Sequence, residues 1–234
     1  MIDKVNITAK KMAEEIFKYC IENDKKYIFI SGNGASGKSE LSRLIRQAAI
    51  ERGNVNTIDM DDFVVDTKLR KGAVIEWSDV KTGEKKFGSY STVFAASYFL
   101  QNIKAIICNL RRGNNYWYWP KRAKSEAESV VELKADAVIT IIEGIGSVYL
   151  DKNPEDSISI FMRCSKENEI ERRIMRAKYS NEQNREEVER QYEERNCQFE
   201  SVILPYMDQH DLILVSQKDF SLNVVEDKLS VIHA

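Results

Sequence analysis

The chain has 234 residues, 43% of them apolar, and sets 35 basic against 37 acidic side chains for a formal charge of −2. That balance excludes a global positive field that would attract nucleic acid or an anionic membrane, so any anion site must be local. The four cysteines, Cys20, Cys108, Cys164 and Cys197, are scattered and the histidines are only His210 and His233, which argues against a disulfide framework, a zinc site or histidine-based catalysis and fits a reducing cytoplasm. Residues 7–22 place Ile7, Met12, Ile16, Phe17 and Cys20 near one helical face, predicting a leading amphipathic helix. Charges interrupt every apolar run in this region, so neither a signal peptide nor a membrane span is expected, and the protein is read as cytoplasmic with no membrane partner.

Five short β-branched runs at 26–31, 55–59, 137–142, 157–162 and 211–215 are apolar on consecutive positions, as strands covered on both faces should be. Helical patterns at 39–53, 91–113 and 166–180 lie between most of them. This alternation predicts an α/β fold, a three-layer nucleotide-kinase-like domain with a parallel sheet. Residues 72–88 read as a hairpin turning near Thr82 and Gly83, and 115–133 as a wider one. With no repeat and no low-complexity linker, the whole of 1–234 is read as one domain, the charged run 166–195 included.

Gly32, Asn33, Gly34, Ala35, Ser36, Gly37, Lys38 and Ser39 match G-x-x-x-x-G-K-[ST] between an apolar strand and a helix. In that setting glycines aim successive N–H groups inward, the helix adds the positive end of its dipole, the lysine reaches the β and γ phosphates and the Ser39 hydroxyl ligates Mg²⁺. The loop is therefore expected to hold ATP with Mg²⁺. A guanine-reading N-K-x-D segment and an L-S-G-G-Q signature are both missing, which argues against a GTPase switch and a transport ATPase.

Ligands of open parallel sheets sit at the carboxyl ends of the strands. Asp59, Asp61 and Asp62 follow the second predicted strand and Glu143 follows the third. A carboxylate near the γ phosphate can accept a hydroxyl proton and a second can hold Mg²⁺, whereas the structural alternative makes these residues turn or cap groups. Asp59 and Asp62 are assigned that structural role. In "ERRIMRA", Arg172 and Arg176 are four apart and share a helical face, so both guanidinium groups can close over a transferring phosphoryl; a solvated, ion-paired helix is the alternative. "YWYWP" alternates Tyr116 and Tyr118 against Trp117 and Trp119, one pair packing on the domain and the other lining an acceptor pocket, with a core or subunit contact as the alternative. Phe63, Tyr90 and Arg185 are further acceptor candidates, and Lys121, Arg122 and Lys124 would suit an acceptor phosphate.

The ordered set "ISGNGASGKS", "DDFV", "IIEGI", "ERRIMRA" and "VILPYMDQHDLILV" resembles the uridine kinase, phosphoribulokinase and pantothenate kinase group of P-loop kinases, uridine kinase nearest, from about residue 26 to 215. The resemblance implies that Asp61 is the catalytic aspartate, Glu143 the magnesium-associated glutamate and 166–195 a lid. Val64 stands where that group usually has tyrosine, Ala177 replaces an aspartate, and its nucleoside-gripping acidic and histidine residues have no counterpart. The function expected is ATP-dependent phosphorylation of a hydroxyl on a small-molecule acceptor, a nucleoside first. The alternatives are pantothenate, a sugar phosphate or a nucleoside monophosphate as acceptor, or a regulatory ATP-binding protein on a kinase scaffold. No nucleic-acid partner is expected, and a homo-oligomer is compatible with the sequence.

Overall fold

The computed structural model describes residues 6–121, 130–180 and 185–232; Arg122, Lys124 and His233 lie outside the described residues, as do the tip of the wider hairpin and residues 181–184 of the charged run. The elements run β1 (Asn6–Ile7), α1 (Ala9–Glu22), β2 (Tyr27–Gly32), α2 (Lys38–Ala49), β3 (Val55–Asp59), α3 (Thr67–Gly72), β4 (Val74–Ser78) and β5 (Lys85–Ser89). After them come α4 (Leu100–Arg111), β6 (Tyr116–Tyr118), β7 (Val131–Leu133), β8 (Ile139–Glu143), β9 (Ser157–Cys164), α5 (Lys166–Ser180), α6 (Arg185–Val202), β10 (Leu212–Ser216) and β11 (Leu222–Asp227).

The main sheet has the order β1-β11-β10-β9-β2-β8-β3. Five adjacent strands, β10, β9, β2, β8 and β3, are parallel, and they are the five runs read from the sequence. The antiparallel edge, β11 and β1, was not anticipated: "LNVVED" is half exposed and carries no continuous apolar run. Along β2 the pleat alternates its side chains between two cores. Ile28 and Ile30 join Met12 and Ile16 of α1 and Leu41 and Ile45 of α2, while Tyr27 and Phe29 join Ile103, Ile106 and Leu110 of α4. This is the three-layer arrangement the strand and helix alternation requires.

Two helix starts differ from expectation. Thr8 caps α1, its hydroxyl accepting from the Lys11 N–H at 3.2 Å, so Ile7 pairs in β1 and lies outside the helix. Residues 91–99 precede α4 as a loop: the Ser97 hydroxyl donates to the Ser91 carbonyl at 2.6 Å, the Tyr98 hydroxyl to the Thr92 carbonyl at 2.6 Å, and Val64 bridges Tyr98. Val93 and Phe94 are thereby directed into a third core with Trp77, Phe161, Phe199 and Ile203. The hairpin β4–β5 turns through Gly83, whose φ of 72° favours glycine, and β6–β7 forms the second hairpin. Among the described residues no helix is long and apolar enough to cross a membrane.

Phe161 is fully buried on β9, with its ring centroid 6.2 Å from Phe199 of α6 and 5.0 Å from His210. Phe161→Ala is expected to lower stability by about 3–5 kcal/mol, the usual loss for emptying a buried phenylalanine site. Urea unfolding checks this, and a loss below about 1 kcal/mol would contradict the packing described.

Candidate active site

The phosphate loop, residues 32–39, begins where β2 meets β9. Gly32 has φ +133°, and a Cβ there would lie 1.8 Å from the Met162 carbonyl oxygen, so only glycine fits. Asn33 fastens the next turn: its Oδ1 accepts from the Cys164 N–H at 3.1 Å and its Nδ2 donates to Glu169 Oε2 at 2.6 Å. Gly37, at φ +97°, leads into α2, whose unpaired N–H groups and dipole favour an anion. Lys38 Nζ donates to the carbonyls of Asn33 at 2.6 Å and Gly32 at 3.1 Å. Burial pushes the Lys38 ammonium pKa down, opposed by the charges of Glu143, Glu169 and Asp61.

Parallel pairing of β3 with β8 puts Asp59 opposite Glu143 at the carboxyl edge of the sheet. Glu143 is buried beside the loop; burial raises its pKa, and Lys38 and the Ser39 hydroxyl hold it back. Asp59 Oδ1 accepts from the Asp61 N–H at 2.8 Å, turning the chain so that Asp61 joins the same cleft wall. The sequence reading gave Asp59 a purely structural role. It does make that turn, but it also lines the cleft, and burial followed by the charge of Glu143 raises its pKa to about 7. The missed signal is its place as the last residue of a parallel strand.

Arg172 and Arg176, expected to share a helical face, both line the cleft, as does Arg173 between them, but they differ in how they are held. Arg172 is buried, donating to the Ala35 carbonyl at 2.9 Å, the Ser216 hydroxyl at 3.1 Å and the Gln217 carbonyl at 2.6 Å, with the Phe220 ring 4.5 Å away. It bolts α5 to the loop and to the end of β10. Arg173 donates to Glu169 Oε1 through Nε at 2.9 Å and a terminal nitrogen at 2.6 Å, and that nitrogen would lie 2.0 Å from a Cβ at Gly34. Arg176 lines the cleft, where its charge favours the ionised form of Glu143. Adjacent residues on a helix point about 100° apart, so choosing between Arg172 and Arg173 required the helix orientation.

These groups border one cleft of about 1460 Å³, walled by the phosphate loop, the carboxyl ends of β3 and β8, α3, residues 89–93 and the facing sides of α5 and α6. Tyr90 and Lys121 are in its wall; Phe63, Tyr116, Trp117, Trp119 and Arg185 are not. Phe63 is buried with its ring centroid 5.0 Å from Tyr118, and Tyr116 packs on the same core. Trp117 and Trp119 form the opposite face of the strand, 57% and 72% exposed, and Arg185 pairs with Glu189 at 2.7 Å on the surface. The alternation was legible in the sequence; that neither face lines the cleft was not.

The loop, its backing helix and the carboxylates at the sheet edge define a P-loop kinase fold. The chain belongs to the Phosphoribulokinase / Uridine kinase family, whose pattern it matches over residues 27–222, and it is a small-molecule kinase. Among solved structures it is similar to D-glycerate 3-kinase from Cryptococcus neoformans var. grubii serotype A, with a TM-score of 0.61, 9% identity, and coverage of 92% of this chain and 98% of that one. It is also similar to phosphoribulokinase from Rhodobacter spheroides, with a TM-score of 0.55, 13% identity, and coverage of 82% and 70%. Identities this low establish the fold and nothing finer. No curated protein matches the sequence.

Asp59 sets a pH dependence of known sign. Its folded pKa of about 7 exceeds the ordinary 3.8, so between those values the folded protein keeps a proton that the unfolded chain has released, and stability falls as pH rises. Without nucleotide or metal, Tm should therefore decline less from pH 4 to pH 7 in Asp59→Asn than in the wild type. Parallel Tm profiles would contradict the assignment.

Proposed function

We propose that the chain transfers the γ-phosphoryl group of ATP to a hydroxyl of a small metabolite held in the cleft, with Asp61 as general base. The observation that carries this reading is the convergence of the phosphate loop, Asp59, Asp61, Glu143 and Arg176 on the wall of one cleft. The residues fit ATP: Gly32 leaves room only for backbone, and the α2 N-terminus offers N–H donors next to a buried ammonium. They also fit Mg²⁺. Ser39, Glu143 and Asp59 are hard oxygen donors, and this ion needs only one or two carboxylates when phosphates complete its shell. Consistent with that, no group of three or more His, Cys, Asp or Glu side chains forms a metal cage among the described residues. When bound, Mg²⁺ supplies neutralisation of the β and γ phosphate charge.

In this mechanism Lys38 leaves the Gly32 and Asn33 carbonyls to meet phosphate oxygens, and Asp61 takes the proton as the acceptor hydroxyl attacks. Arg173 and Arg176 approach the phosphoryl from α5, so 166–195 acts as a lid. Arg172 instead fixes the root of that helix. It also lines the cleft with Phe220 beside it, and that ring offers a face on which the nucleotide base can stack. The nucleoside expected from the resemblance draws little support from the cleft: of the aromatic residues assigned to the acceptor, Tyr90 alone is in the wall.

The protein mixed with ATP, Mg²⁺ and a panel of nucleosides, nucleotides, pantothenate and sugar phosphates should release ADP in an acceptor-dependent manner; slow acceptor-independent release alone would select a regulatory ATP-binding protein. Asp61→Asn should leave ATP affinity nearly intact and lower turnover by roughly 10² to 10⁴, the range for a lost general base. Wild-type turnover in the folded variant would refute the role. Glu143→Gln should raise the Mg²⁺ concentration for half-maximal rate more than it raises the ATP requirement, and an unchanged Mg²⁺ dependence would count against it.

A further inference from the structure

The hairpin β4–β5 is fastened along one side of α6. The Val80 N–H donates to the Ser201 hydroxyl at 3.1 Å, Lys81 pairs with Glu200 at 2.7 Å, and Gln198 Nε2 donates to the Ser89 carbonyl at 3.1 Å. A Cβ at Gly88 would lie 2.6 Å from Glu194 Oε1, so the two elements are in close contact. Within this seam three reactive side chains meet. Lys86 Nζ donates to Asp79 Oδ2 at 2.5 Å and to Cys197 Sγ at 3.6 Å, and the Cys197 thiol donates to the same carboxylate oxygen at 3.5 Å. Cys197 is partly exposed and the Lys86 side chain is 40% exposed, so small solutes reach both. The other cysteines lack this setting. Burial pushes the Cys20 thiol up to about 12 and raises that of Cys164, while Cys108 is exposed but its thiol makes no hydrogen bond among the described residues.

A partly exposed thiol beside an ammonium group is the setting in which cysteines react with peroxides, and a sulfenic acid condenses with a nitrogen held against it. We propose that Cys197 and Lys86 form a peroxide-driven sulfenamide that locks the hairpin β4–β5 to α6. In the first step the Cys197 sulfur attacks one oxygen of hydrogen peroxide. The S–O bond forms, the O–O bond breaks, and the leaving hydroxide takes the thiol proton as water; sulfur loses the two electrons that the peroxide gains. In the second step Lys86 gives one ammonium proton to solvent and its nitrogen attacks the same sulfur. The S–N bond forms, the S–O bond breaks, and the hydroxide leaves as water with a second proton from nitrogen. Asp79 orients both partners, because one of its oxygens accepts from each. Its hydrogen bond also favours the ammonium form of Lys86, so capture runs through the small neutral fraction and the product accumulates gradually. A dithiol returns the thiol and the amine while closing to its own disulfide. The bond would join residues 111 apart in the chain and tie two walls of the cleft together, since the hairpin leads into Ser89 and Tyr90 and α6 carries Arg190 and Glu194.

The test exposes the full chain to hydrogen peroxide and follows it by peptide mass spectrometry and thermal unfolding. A peptide pair joined through Cys197 and Lys86 is expected, two hydrogens lighter than its separate parts, together with a Tm several degrees above that of the reduced protein. Dithiothreitol should reverse both. Lys86→Arg keeps a cation beside Asp79 and should fold; in it the sulfenic acid persists, dimedone labels Cys197, and neither the cross-link nor the rise in Tm appears. Cys197→Ser should likewise show no peroxide-dependent rise. A free Cys197 thiol once the exposed Cys108 is oxidised, or Cys197 driven to sulfinic acid with Lys86 unmodified, would overturn the proposal. So would a cross-link that leaves Tm unchanged, or a peroxide-dependent rise in Tm that persists in Lys86→Arg.

Discussion

Gly32 closes β2 against the main chain of β9 so tightly that a methyl group there would collide with the Met162 carbonyl oxygen. That contact lets the loop turn immediately at the sheet edge and leads the chain into α2 with its N–H groups facing the cleft. The surrounding bonds depend on it. Asn33 can bridge the Cys164 N–H and Glu169 only because the backbone passes this close, and Glu169 in turn holds Arg173 against Gly34. A strand-to-strand steric limit is thus transmitted through one amide and one carboxylate to the arginine over the loop.

The sheet supplies the second half of the site through register. β2 and β3 flank β8, and parallel pairing brings their ends level, so Asp59 and Glu143 are neighbours without any loop having to carry them there. Burial raises both pKa values, with the charge of Glu143 adding to it at Asp59 and that of Asp61 at Glu143, and the lysine and serine of the adjacent loop partly offset this for Glu143.

What the sequence disclosed follows from the range of the forces involved. The five parallel strands were legible because burial on both faces imposes uninterrupted apolar runs, and the loop because close backbone approach imposes glycine at fixed spacing. Asp61 and Glu143 could be placed at the carboxyl edge of the sheet because strand ends are fixed by those same runs. Illegible were properties that depend on how elements are rotated against each other. Arg172 and Arg173 are adjacent in sequence and both line the cleft, yet one is tied to the Ala35 carbonyl and the end of β10 and the other to Glu169. None of the four aromatics at 116–119 lines the cleft: Tyr116 and Tyr118 pack on the core with Phe63, and Trp117 and Trp119 are exposed. The polar edge strand β11 escaped because half-exposed strands lack the apolar signal.

Consecutive residues of β9 serve opposite sides of the molecule. Met162 backs the loop through its carbonyl, and Phe161 supports α6 through Phe199 on the other face, next to Gln198. The spacing between the phosphate loop and the α6 wall of the cleft is therefore gauged through a single strand. A change of side-chain bulk at Phe161 would shift α6 relative to the loop without altering any residue of the cleft wall.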